Sequence, residues 1–165
     1  MKVRCGTNEY DIEQVIDKYS TMLFRLAMAR MQNKEDAEDV VQDTFLRLLQ
    51  QVQKGKTFEE EEHLKAWLLT VAANRGKSIL TMVWNKRTEG MDSVQEMAAP
   101  EQEMDYAYEY VMRLPENYRI AIDLFYYEQL STEQIAEIMK TKPATVRSYL
   151  HRGREKLKKM MEANA

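Results

Sequence analysis

LSTEQIAEIMKTKPATVRSYLHRGREKL, residues 130–157, contains two short helical patterns joined by a tight connection. Ser131 and Gln134 have capping-box spacing, a hydroxyl at the N-cap and an amide three residues on, so a helix starts there. Ile135, Ala136, Ile138 and Met139 then face inward. Pro143 suits the first turn of a second helix, where its missing N–H has no intrahelical partner to lose. The connection carries Lys140 and Thr141 where such turns often hold glycine, and one of them must turn left-handed at modest cost.

Stepping the second helix at about 100° per residue separates two faces. Val146, Leu150, Gly153 and Leu157 share one stripe, expected to pack on the preceding helix. Ala144, Thr145, Arg147, Ser148, His151 and Arg152 spread over the rest. Small residues let a helix end approach a duplex, hydroxyls reach phosphates, and arginine makes bidentate bonds to guanine. This is the chemistry of a helix that reads a major groove. An ordinary amphipathic hairpin with a solvated basic face is the alternative.

Five Gly, three Pro, a high charged fraction and apolar residues at helical spacing in 165 residues predict an all-α chain of one or two small domains. Twelve Met add adaptable packing surface. The single cysteine, Cys5, excludes an internal disulfide and a cysteine-based zinc site. It falls in an N-terminus without periodicity, expected to be disordered, and receives no role. No apolar run reaches membrane-spanning length, no signal-peptide pattern opens the chain, and the expected location is the cytoplasm. Net charge divides unevenly: +1 over residues 1–87, −10 over 88–139 and +6 over 140–165. The basic charge therefore lies where the reading helix was placed, as phosphate binding requires. Beside it, the acidic segment is expected to mask that helix when the domains are together.

Upstream, Ile12, Val15, Ile16, Tyr19, Met22, Leu23, Leu26 and Ala27 predict a helix to about Met31. The next, about Lys34 to Gln53, has a core stripe of Ala37, Val41, Thr44, Phe45, Leu48 and Val52. Its other face shows Glu35, Asp39, Gln42, Asp43, Leu46 and Gln50, an apolar anchor inside a polar rim, which suits a protein interface or a solvated face with one stray leucine. KGKTFEEEE, residues 54–62, is a loop whose consecutive carboxylates before His63 do not converge on a metal; charge favourable to a helix start accounts for them. A third helix, about His63 to Trp84, buries Leu64, Leu68, Val71, Ala72, Arg75 and Ile79. Its other face carries Thr70, Ala73, Asn74, Lys77, Thr81 and Trp84, polar groups that suit a single strand with bases stacked on the indole, or plain surface. Residues 88–103 lose periodicity and form a flexible linker. A second domain follows from about Met104, with a helix opened by Pro115.

Taken together, DAEDVVQDTFLRLL, HLKAWLLTVAANRGKSIL and LPENYRIAIDLFYYEQLSTEQIAEIMKTKPATVRSYLHRGREKL resemble, in order, three segments of the bacterial extracytoplasmic-function sigma factors of RNA polymerase. The resemblance covers about residues 10 to 160. It implies a sigma2-like domain over 10–87, an acidic linker over 88–103 and a sigma4-like helix-turn-helix domain over 104–161. Asp39, Gln42, Asp43 and Leu46 would then contact core polymerase. Asn74, Lys77, Thr81 and Trp84 would lie along the melted minus-ten strand, with Phe58 in a loop, 58–62, that pockets a flipped base. Lys142, Thr145, Arg147, Ser148, His151 and Arg152 would sit at the minus-thirty-five element. The implied partners are core RNA polymerase, promoter DNA and an anti-sigma factor, with no direct membrane insertion. Ser78, Thr81, Tyr149 and the acidic 59–62 run depart from the usual family pattern.

No metal or cofactor is expected, and with no nucleophile–base pair, phosphate loop or paired carboxylates the chain is not expected to be an enzyme. The rival function is a two-domain helix-turn-helix regulator that does not bind polymerase.

Overall fold

The computed structural model describes residues 1–87 and 106–164, with side chains described for 1–75 and 107–164. Two short strands, β1 (Lys2–Cys5) and β2 (Asn8–Asp11), open the chain as a hairpin. Among the described residues seven α-helices follow: α1 (Ile12–Met31), α2 (Lys34–Gln53), α3 (Glu61–Arg87), α4 (Tyr106–Val111), α5 (Glu116–Ile122), α6 (Thr132–Met139) and α7 (Pro143–Ala163). The architecture is helical, as the periodicity predicts. The hairpin corrects the expectation of a disordered N-terminus, and the linker expected at 88–103 lies outside the described residues.

Helices α1, α2 and α3 pack mutually around Leu23, Leu26, Leu48, Leu64 and Leu68, all essentially inaccessible to solvent. Each such side chain contributes about 1.5–3 kcal/mol by leaving water. Gln32, left-handed at φ 53°, ends α1, and the Asn33 side chain accepts from the Asp36 N–H at 3.0 Å to start α2. Thus two residues suffice to reverse the chain. On α2, Val40 is buried and Val41 half-buried, a small rotation of the expected stripe.

In the C-terminal half, α5 continues into a π-helical turn, Asp123–Tyr127, before α6. The Ser131–Gln134 capping box forms, with the Gln134 N–H donating to the Ser131 hydroxyl at 3.1 Å and the Ser131 N–H to the Gln134 amide oxygen at 2.9 Å. Lys140 takes the left-handed turn position at φ 56°, and Pro143 occupies the first turn of α7. Val146, Leu150 and Gly153 are buried, with Leu157 half-buried. This stripe packs on α5 as well as α6: a Cβ on Gly153 would lie 2.5 Å from Ile122 Cδ1 and 3.4 Å from the Tyr118 Cβ. The glycine is what lets the two helices come this close.

The two halves pack against each other. Arg119, buried on α5, donates to the carbonyls of Ala29, Arg30 (3.5 Å) and Leu114 (2.8 Å). The Ala29 and Arg30 carbonyls belong to the last turn of α1, where no intrahelical N–H remains for them, and a guanidinium also suits the negative end of the helix dipole. Glu128 pairs with Arg25 at 3.2 Å and Lys65 at 3.7 Å, while Glu116 pairs with Arg30 at 2.8 Å. Gln32 donates to the Met112 carbonyl at 2.6 Å, and the Arg25 guanidinium lies 4.8 Å from the centre of the Tyr127 ring. On α3, Lys65, Leu69 and Ala73 are four apart on one stripe. Lys65 reaches the Glu128 carbonyl at 3.1 Å, so this stripe faces the C-terminal half, and Leu69 and Ala73 are buried there. Ala73 is accordingly a junction residue rather than part of an open face.

Candidate polymerase-binding and DNA-binding surfaces

The side of α2 opposite its core stripe is open. Leu46 is 54% exposed, with Asp39 and Gln42 exposed beside it. Asp43 is engaged inside the chain: its carboxylate accepts from Arg75 Nε of α3 at 2.6 Å. Both side chains are one-third exposed, so the pair steadies α2 on α3 and the carboxylate stays partly open to a partner. Arg75 therefore owes its position on the inner side of α3 to an ion pair. An exposed leucine between groups that form hydrogen bonds has the anatomy of an interface, an apolar centre inside a polar rim.

The minus-ten candidates divide. Asn74 is exposed on α3. Lys77, Thr81 and Trp84 lie on the later turns of the same helix, with side chains outside the described set. Phe58 does not line an open pocket. It is 7% exposed and packs edge-on to Trp67, ring centres 5.9 Å apart, with the Lys56 ammonium 5.3 Å from its centre. A free phenyl ring beside the leucine core is worth more buried than open to water. The groups presented outward here are Glu59, Glu60 and, on the first turn of α3, Glu62, all exposed. Glu61 turns inward and accepts from Tyr19 at 2.8 Å, Tyr10 at 3.4 Å and Lys18, contacts that hold its carboxyl below the usual range, that of Lys18 foremost. His63 Nδ1 lies 3.9 Å from Glu59, and among the described residues no cluster of His, Cys, Asp or Glu is placed to hold a metal.

On α7, Arg147, Ser148, His151 and Arg152 are exposed with Lys142 at the helix start, and Thr145 is half-buried. The closed packing of the two halves does not cover this face. Of the acidic segment expected to mask it, Glu116 and Glu128 turn to Arg30, Arg25 and Lys65 instead of α7, and the acids of residues 88–105 lie outside the described residues. Tyr149 leans on Tyr118 with ring centres 5.9 Å apart, so it locks α7 to α5. Arg154 donates to the Tyr126 hydroxyl at 2.6 Å and lies 5.4 Å from the centres of the Phe125 and Tyr126 rings, which fixes the middle of α7 on the π turn.

Sequence reasoning missed Arg119, Asp123 and the hairpin. Asp123 is 1% exposed, and among the described residues neither of its oxygens meets a donor. Burial foremost, then the Glu128 charge, pushes its carboxyl up to about 8 against the opposing pull of Arg25. Nothing in local periodicity separates these two residues from surface charges. The hairpin did leave a signal: Val3 and Cys5 alternate with Lys2 and Arg4, and Gly6–Thr7 makes a two-residue turn with a positive φ at Gly6.

Among the described residues no helix is long and apolar enough to cross a membrane. The family model for sigma-70 region 2 matches residues 15–82, and that for sigma-70 region 4 matches 104–157. The ECF RNA polymerase sigma-E factor of Haemophilus influenzae is 30% identical, the match covering 84% of this chain and 87% of the relative. The ECF RNA polymerase sigma factor SigW of Bacillus subtilis is 26% identical over 89% of this chain and 87% of its own length. Among solved structures, the sigma factor RpoE bound to the anti-sigma factor NepR from Bartonella quintana shares the fold, with TM-score 0.74 and 24% identity over 94% of this chain and 99% of that one. CnrH in complex with the cytosolic domain of CnrY does so at TM-score 0.62 and 18% identity, covering 93% of this chain and 89% of that one. With both sigma-70 regions present in order and relatives matched over most of their length, the chain belongs to the extracytoplasmic-function sigma factors of RNA polymerase.

Proposed function

We propose that this sigma factor engages core RNA polymerase through the outer face of α2 and positions it on promoters by two contacts. The α3 helix and the loop before it meet the minus-ten element, and α7 enters the major groove at the minus-thirty-five element. The domain assignment is 10–87 for the first contact and 104–161 for the second. The observation that carries the polymerase assignment is Leu46, an exposed apolar anchor on a helix whose other side is fully packed. A DNA-binding regulator that never meets polymerase gives that face no purpose and is not favoured. The role is one of binding rather than catalysis, and we place it in the cytoplasm with its partners.

The closed packing adds a step. The two promoter elements lie about 25 base pairs apart, roughly 85 Å along B-form DNA. A chain of this length folded compactly is about 40 Å across. The packed halves thus cannot touch both elements at once, and reading a promoter requires the junction at Arg119 and Glu128 to open. The opening must come from polymerase binding more tightly to the separated form. An anti-sigma protein is the third proposed partner, supported by the solved structure of the same fold in which RpoE is bound to the anti-sigma factor NepR. It would oppose polymerase by favouring the closed form or by covering Leu46.

Leu46→Ala should weaken association with core polymerase by about 2 kcal/mol, roughly thirtyfold in Kd, with melting unchanged because the side chain is mostly in solvent. Binding equal to the parent's would remove α2 from the interface. Arg147→Ala should relax preference at one or two minus-thirty-five positions by about 1–3 kcal/mol, whereas Lys156→Ala should weaken all sequences alike and flatten the salt dependence. Equal loss on every sequence for Arg147 would make it a phosphate contact. The function as a whole is tested by transcription in vitro with core polymerase over a promoter pool. Chain-dependent transcripts from a subset sharing both elements are expected, and their absence with intact core would refute the assignment.

A further inference from the structure

Strand β1 of the N-terminal hairpin is joined on one edge to β2 and on the other to the loop before α3. Strand β1 pairs antiparallel with β2, Val3 opposite Tyr10 and Arg4 opposite Glu9. Its other edge meets the loop: the Phe58 N–H donates to the Arg4 carbonyl at 2.9 Å, the Gly6 N–H donates to the Phe58 carbonyl at 2.8 Å, and Cys5 and Phe58 form a parallel bridge. Val3, Cys5 and Phe58 are buried in one core, and Trp67 packs against it from the Phe58 side. Gly6 sits at φ 63°, and a Cβ there would lie 2.7 Å from the Glu59 carbonyl oxygen, so hairpin turn and loop backbone are in van der Waals contact.

We propose that this hairpin is a positioning element for minus-ten recognition, holding the backbone of residues 57–60 so that Glu59 and Glu60 meet an unstacked base in one fixed geometry. The proposal rests on the assignment of this loop to the minus-ten element made above. Four successive carboxylates, Glu59 to Glu62, repel one another and the DNA backbone, and a loop carrying them would swing away if its ends alone held it. The hairpin prevents this with two backbone hydrogen bonds, while Glu61 is held by Lys18, Tyr19 and Tyr10, the last contributed by β2. What remains outward is Glu59 and Glu60 on the loop, with Glu62 exposed on the first turn of α3, and recognition by a loop is sharp only when the supporting structure fixes it.

Gly6→Ala tests this in the full chain, because the added methyl must push β1 off the Glu59 carbonyl; Gly6→Val does so more strongly, a β-branched residue being strained at that φ. Three quantities are measured with core polymerase. They are amide exchange at Phe58, initiation across promoters varied separately at the minus-ten and minus-thirty-five elements, and fluorescence of 2-aminopurine placed in the minus-ten strand. Phe58 exchange is expected to rise about tenfold or more by local opening. Minus-ten discrimination is expected to fall about fivefold or more, on the order of one lost base preference. The 2-aminopurine signal should drop with it, while minus-thirty-five discrimination, core affinity and helix melting stay at the parent's values. A merely structural hairpin would change melting and leave discrimination intact. Faster Phe58 exchange with unchanged minus-ten discrimination overturns the proposal, and so does unchanged exchange in both variants, since the loop is then not held by the hairpin. A parent chain indifferent to the minus-ten sequence instead removes the loop's assignment, and the proposal with it. Should Gly6→Val lower the melting of the helices, Gly6→Ala alone decides.

Discussion

Arg119→Met lowers the stability of the chain by about 3 kcal/mol or more and separates its two halves, because three carbonyls lose a donor at a site closed to water. Methionine keeps most of the stem's apolar contact, so the loss reports the guanidinium. Two of the acceptors, Ala29 and Arg30, lie at the end of α1 and the third, Leu114, just before α5. The effect should therefore appear both as a lower urea midpoint and as faster amide exchange where the halves meet. Arg119→Lys restores the charge with a narrower reach and should recover only part. A methionine variant within about 0.5 kcal/mol of the parent, the range of ordinary surface changes, would mean the junction is held elsewhere.

The second large effect is set by pH. Asp123 is buried beside the like charge of Glu128, with Arg25 of α1 and Tyr108 of α4 the other groups around it; its carboxyl ionises only near pH 8 rather than near its ordinary 3.8. Between these values the folded chain holds a proton that the unfolded chain has released. Stability is thus free of this cost below about pH 4, falls by up to about 1.4 kcal/mol per pH unit above it, and levels off past pH 8. Asp123→Asn cannot ionise and should remove that slope, so the variant gains on the parent steadily from pH 5 to pH 8. The measurement is the difference between the two urea unfolding curves at each pH, which cancels groups common to both. Parallel stability profiles would show that the carboxylate finds compensation when charged.

Much of this molecule was legible from one chain because its signals are local. The 3.6-residue spacing marks α1 to α3, and the Ser131 capping box, Pro143 and the Val146–Leu150–Gly153 stripe mark the helix-turn-helix. Leu46 was visible as an apolar residue on a polar face, and it is open in the structure. What escaped depends on distant pairing. Arg119 reads as one more helical cation until α1 is brought to it, and Asp43 reads as open until Arg75 reaches it from α3. Phe58 follows a polar loop and by the resemblance belongs to a loop that pockets a base, yet the hairpin and Trp67 close over its ring. Charge summed over segments pointed to attraction between halves but not to which faces meet, since geometry, not net charge, decides which ion pairs form.

The claim that the packed halves must separate to read a promoter is tested by the distance between dyes placed at Glu13→Cys on α1 and Lys159→Cys on α7, both exposed sites, Cys5 being buried and unlabelled. The account predicts high energy transfer in the free chain and a large fall when core polymerase and a promoter bearing both elements are added. Transfer that stays high in a complex that initiates transcription would contradict it.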